Sequence, residues 1–181
     1  MTIKFHINWG KAIEAIVWLA DRQPDIDHFR IAKVLYYADK SHLRQFGRPM
    51  LGDTYIAMEH GPVPSGVRDL LTLNTFLDPD ILEGAAASFA TKRDPSPKVC
   101  ASRKPMLDAF SKSDLRCLEE SFARYAGMSF GELRELTHRE RAWAEAETDS
   151  AMDYALMIDA DTPDREELIE QLRESAPYVV V

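Results

Sequence analysis

The chain has 181 residues, 45% of them hydrophobic and 29% charged. That suits one globular domain and excludes disordered, collagen-like and low-complexity chains. No stretch approaches the roughly 18 consecutive apolar residues of a membrane helix. No signal-peptide pattern is seen at residues 1–6. Cys100 and Cys117 give no disulfide framework, so a reducing cytoplasm is expected. The net charge is −8, yet residues 1–104 carry +2 and residues 144–181 carry −9. A near-neutral body with an acidic end argues against general nucleic-acid affinity, which rests on neutralising phosphates. It permits an acidic surface facing a basic partner.

A first helix is predicted over 9–21, with Asn8 as N-cap and Ile13, Ile16, Val17 and Ala20 as its apolar stripe. Pro24 ends it. A second is predicted over 27–46, capped by Asp25 or Asp27 and closed by Gly47 and Pro49. Asp39 and His42 lie on or beside its buried stripe. A buried carboxylate needs a donor, and His42 is the nearest local candidate. Residues 53–59 read as a strand and 60–65 as a rigid proline turn leading into a helix. Asp78-Pro79 opens a short helical turn. Residues 87–91 and 98–102 read as a hairpin around the loop 92–97. Paired with the strand at 54–59, it would make a three-stranded antiparallel sheet. Helices resume at Ser113, and Ser129 with Glu132 has capping-box spacing. Two more are predicted over 151–158 and 164–173. The expected class is mainly α (α+β): a compact helical domain of about six to eight helices with a small antiparallel sheet or hairpin.

Chemistry-bearing motifs are sparse. There is no GxSxG elbow, P-loop or GxGxxG fingerprint. A metal site from His42, His60 and Asp39 would need three or four ligands to converge from scattered positions. The simpler reading has each histidine satisfying a carbonyl or a carboxylate. Cys117 sits beside an apolar stripe as a small hydrophobe. Neither Gly-containing turn leads to a basic recognition helix, which disfavours a helix-turn-helix. No catalytic activity, cofactor or metal is expected.

Three motifs are specific. The first is Leu35-Tyr36-Tyr37-Ala38-Asp39, with His42-Leu43 and Gly47-Arg48-Pro49. The second is Ala57-Met58-Glu59-His60-Gly61-Pro62-Val63-Pro64-Ser65. The third runs from Ser129 through Phe130, Gly131 and Glu132 to Thr137-His138, with Ala142-Trp143 after it. In this order they resemble the Panacea domain, the SocA-like antitoxin family related to phage-associated proteins of the GepA type. The resemblance spans about residues 8–145. It divides the chain into a domain at 1–145 and an acidic helical extension at 146–181 packed on the same domain. It implies a non-enzymatic antitoxin of a type II-like toxin–antitoxin system, binding a cognate toxin protein directly. Some SocA-like members are thought to act as adaptors presenting the toxin to a ClpXP-type protease. The alternative is a DNA-binding autorepressor of its own operon. No nucleic acid or membrane partner is expected.

Within these motifs, Gly47, Pro49, Gly61, Pro62 and Pro64 are expected to shape turns. Asp39, His42, His60 and His138 are expected to form one buried polar network. Tyr36, Tyr37, Tyr55 and Trp143 are candidate toxin contacts of the right chemical type. Burial in the core is the competing reading, and the stronger one for Tyr37 and Trp143. Arg44, Arg48 and Arg68 are candidate charged contacts. The acidic tail is a second candidate surface.

Overall fold

Helix α1 (Trp9–Arg22) starts where Asn8 accepts a hydrogen bond from the Lys11 backbone N–H at 3.0 Å. The computed structural model describes residues 3–93, 95–179 and 181. Met1, Thr2, Val180 and Asp94 of the predicted 92–97 loop lie outside the described residues. Every residue from Lys11 to Ala20 is buried, so α1 is covered all round and not on one stripe.

A two-residue strand, β1 (Ile26–Asp27), precedes α2 (His28–Phe46). Asp27 is the cap, accepting from the Arg30 N–H at 2.7 Å. Gly47 closes α2 at φ +67, a backbone conformation that glycine adopts without Cβ strain.

Strands β2 (Tyr55–Met58) and β3 (Gly61–Pro64) form an antiparallel hairpin, with Tyr55 opposite Pro64 and Met58 opposite Gly61. The expected proline turn at 60–65 is therefore mostly strand. The reason is parity. The Ser65 N–H donates across the hairpin to the Thr54 carbonyl at 2.9 Å. Successive strand amides alternate in direction, so Gly61 and Val63 share that inward edge. Pro62 and Pro64 turn their donorless nitrogens away from β2.

Helix α3 (Ser65–Thr72) follows at once, and α4 (Pro79–Ser88) is capped by Asp78. Strands β4 (Phe89–Lys92) and β5 (Lys98–Ala101) make the expected hairpin. Its third strand is β1, with Ile26 opposite Val99, and the order is β1-β5-β4. The expected pairing with residues 54–59 does not form. The free edge of β2 is taken instead by residues 149–152: the Ala57 N–H donates to the Ser150 carbonyl and the Met152 N–H to the Tyr55 carbonyl.

Helices α5 (Lys112–Tyr125) and α6 (Phe130–His138) each open with a complete capping box, Ser111 with Asp114 and Ser129 with Glu132. A single turn, α7 (Arg141–Ala144), was not expected. Helix α8 covers Tyr154–Met157, shorter than the predicted 151–158, because the β2 pairing holds residues 150–152 extended and Asp153 then caps. Helix α9 (Arg165–Ser175) sends Ile169 and Leu172 into the core. Asn8 Nδ2 donates to the Val181 carbonyl at 2.8 Å.

The architecture is mainly helical with a small antiparallel sheet and a separate hairpin. Helix α5 packs along α2, while β3, α3 and α6 also lie against α2. No helix among the described residues is long and apolar enough to cross a membrane.

Candidate functional site

Asp39, wholly buried on α2, does not pair with His42. Its Oδ1 accepts from the Met50 and Leu51 N–H groups at 2.8 and 2.9 Å, and its Oδ2 from the Tyr55 hydroxyl at 2.9 Å. Burial pushes its carboxyl up to about 6, against the pull of these three donors. Asp39 thus fastens α2 to the 50–51 segment and to β2. Asp53, which sequence reading passed over, does the same one step along. It accepts from the Thr54, Gly66 and Val67 N–H groups and so caps α3, whose own N-cap residue, Pro64, has no side-chain donor or acceptor. Burial pushes it up to about 6 as well.

His42 belongs to a different cluster. Its Nδ1 donates to the Arg48 carbonyl at 2.8 Å, and its Nε2 lies 3.0 Å from Ser113 Oγ and 3.1 Å from Asp114 Oδ1. The fully buried Asp114 also meets Lys11 at 3.0 Å and Arg48 at 3.2 Å. Burial opposes its charge, but hydrogen bonds from His42, the Ser111 N–H and Lys11 outweigh burial and hold its carboxyl well below the usual range. Asp114 was also missed. Its only visible signal was the spacing from Ser111, which makes it the N3 partner of the α5 capping box.

The other two histidines lie elsewhere. His138 Nε2 donates to the Glu59 carbonyl at 3.0 Å and its ring stacks on Trp143 at 3.8 Å. His60 meets Phe130 edge-on at 5.3 Å. The four residues expected in one network therefore each keep different partners. Among the described residues, no group of three or more His, Cys, Asp or Glu is placed to hold a metal ion.

The aromatic candidates sit mostly inside. Tyr36 and Tyr55 are fully buried, and their rings meet edge-on at 5.3 Å. Tyr37 is buried against Tyr125, stacked at 4.1 Å. Trp143 is half-buried and donates from Nε1 to the Met58 carbonyl at 2.9 Å. These contacts come from helical and strand periodicity that turns each ring inward. Of the arginines, Arg48 is committed to Asp114, and Arg44 reaches Asp159 of the acidic segment at 3.6 Å. Arg68 is exposed and makes no ion pair among the described residues.

Arg68 stands at the rim of a groove of about 200 Å³. Helix α2 supplies His28, Phe29, Ala32 and Lys33; the hairpin supplies Met58, Val63 and Pro64; α3 supplies Val67, Leu71 and Thr72. Lys33 is fully buried, donates to the Pro62 carbonyl at 2.8 Å and lies 4.7 Å from the centre of the Phe29 ring. Burial alone pulls its ammonium down to about 7. Phe29 packs at 4.4 Å, its ring tilted by 41°, against the half-exposed Phe130, which carries apolar surface outward from the groove. Sequence reading passed over Lys33, Phe29 and Phe130 as individual positions. The i, i+4 spacing of Phe29 and Lys33 placed them on one helix face, but nothing local shows what that face meets. Gly61, at φ +101, lets the hairpin approach closely: a Cβ there would lie 2.4 Å from Thr137 Oγ1 and 3.1 Å from Lys33 Nζ.

The elements that build this groove, α2, β3 and α3, together with α5 and α6, fall almost wholly within residues 31–144, and those residues match the family described as antitoxin SocA-like, Panacea domain. The chain belongs to that family and carries its antitoxin-type domain. No match was found among curated proteins or among solved structures.

Proposed function

We propose that this chain is the antitoxin of a type II-like toxin–antitoxin pair and neutralises a cognate toxin by binding it directly. The observation that carries the reading is the family match over residues 31–144, which covers the elements that meet to form the groove. Binding of another polypeptide calls for partly exposed apolar surface with unpaired charge at its edge. Phe130, the groove walls and Arg68 supply that combination. The buried Tyr36 and Tyr55 fix α2 against the hairpin that forms one wall of the groove.

The test is co-expression with the adjacent gene. Growth arrest caused by that gene and relieved by this chain, with both proteins recovered in one complex, supports the proposal. Arrest that persists with this chain present in excess overturns it. A ClpXP adaptor role adds one outcome. The toxin's half-life shortens only when both this chain and the protease are present. An unchanged half-life restricts neutralisation to occupancy of the toxin.

A further inference from the structure

The lining of the groove departs from the character of the whole chain. The sequence holds 30 acidic residues and a net charge of −8, yet no Asp or Glu lines this groove. Instead it carries two basic side chains among apolar walls, Arg68 exposed at the rim and Lys33 buried beneath it. Neither has a carboxylate partner among the described residues, whereas Lys11, Lys40 and Arg48 are all paired. His28 Nε2, also at the groove, is buried with no hydrogen-bond partner. A buried ammonium without a counter-charge is costly and gives up its proton readily, as Lys33 does near pH 7, and a carboxylate supplied from outside would hold that proton in place.

We infer that the groove receives a carboxylate from a partner polypeptide, an acidic side chain flanked by apolar ones. Arg68 at the rim pairs with that carboxylate. Lys33, beneath the wall, takes up its proton when the carboxylate arrives and then adds a second positive charge in a medium where attraction is weakly screened. Phe29, Val63 and Leu71 hold the neighbouring apolar groups. The inference rests on the antitoxin reading for the identity of the partner as the cognate toxin. The charge pattern of the site does not depend on that reading.

Two measurements separate the two. In the first, the purified chain is titrated with 3-phenylpropionate, and in parallel with 3-phenylpropionamide and with inorganic phosphate. The methyl signals of Met58, Val63 and Leu71 are followed by NMR. The expected result is saturable shifts for the carboxylate, with the amide and phosphate each at least tenfold weaker. Lys33→Met and Arg68→Gln should each weaken carboxylate binding about tenfold. Arg68→Gln alters an exposed side chain and leaves the fold intact, so the test survives if Lys33→Met does not fold. Equal binding of the amide, or equal binding of phosphate, overturns the inference. So does unchanged carboxylate affinity in Arg68→Gln.

In the second, wild-type and variant chains are titrated against the product of the adjacent gene. Weakening of at least tenfold in Arg68→Gln supports the groove as the contact. Toxin binding equal to wild type removes the groove from the interface while leaving the antitoxin function standing. A wild-type chain that does not bind the toxin defeats the functional proposal, and the phenylpropionate titration still decides the groove.

Discussion

The Tyr55 hydroxyl donates to the Asp39 carboxylate at 2.9 Å, tying β2 to the middle of α2 inside the core. Asp39→Ala removes the acceptor of that hydroxyl and of the Met50 and Leu51 N–H groups at once. Each buried donor left unmatched costs about 1–3 kcal/mol. The expected loss is about 3–5 kcal/mol, a fall in Tm on the order of 10 °C for a domain of this size. Tyr55→Phe removes one donor only and should cost about 1–2 kcal/mol. Thermal melts of both variants check this. Equal Tm values for wild type and Asp39→Ala would show that the triple contact contributes nothing to stability.

The buried carboxylates should titrate in opposite senses. Asp39 and Asp53, pushed up to about 6 by burial, take up protons in the folded state before the unfolded chain does. Their contribution to stability is complete below the ordinary value of 3.8 and is lost as pH rises through about 6. Asp114 is held below 3.8, so its contribution is present above that pH and is lost as pH falls further. Carboxyl ¹³C shifts followed by NMR should show midpoints near 6 for Asp39 and Asp53. Asp114 should still be ionised at pH 3.8. A normal midpoint for all three would contradict the described packing.

Lys33 gives a third dependence. Burial brings its ammonium down to about 7 in the folded chain from an ordinary 10.5. Between these values the unfolded state holds more protons, so stability rises with pH across that interval. Urea unfolding of wild type should therefore show increasing stability from pH 7 to 9. Lys33→Met should lack the part of the slope that belongs to this group. Identical slopes would mean that Lys33 keeps its charge in the fold.

Gly61→Ala strains the hairpin twice over. The residue sits at φ +101, and the new Cβ would lie 2.4 Å from Thr137 Oγ1 on α6. Thr137 is fully buried and bonded to the Leu133 carbonyl, so it has little room to yield. A loss of about 2–4 kcal/mol is expected from backbone strain plus overpacking. Chemical denaturation measures it. Because Lys33 Nζ lies only 3.1 Å from the same Cβ, the variant should also disturb the groove.

Much of the helical plan was readable because its signals are local. Asn8, Gly47, Asp78 and Ser129 act where their spacing placed them, and each needs only its own next turn. The strand partners were not readable. Pro62 and Pro64 argue for a turn until parity shows their nitrogens facing away from β2, and parity is set by the partner strand. The third strand of the sheet is only two residues long, too short for alternation to register. The polar network was misassigned for a related reason. His42 is close to Asp39 along α2, but the carboxylate it meets, at 3.1 Å, is that of Asp114, 72 positions further on. The groove depends on the same distant pairing: α2, β3 and α3 define it jointly, and no single stretch contains both Lys33 and Arg68.

An antitoxin of this kind works by occupying another protein. The most direct measurement is calorimetric titration of the purified product of the adjacent gene with this chain, followed by assay of the residual toxicity of the complex. Saturable binding at a defined stoichiometry is expected, with loss of toxicity in proportion to the fraction bound. Full toxicity in the presence of saturating chain, or no heat of association at all, would contradict it.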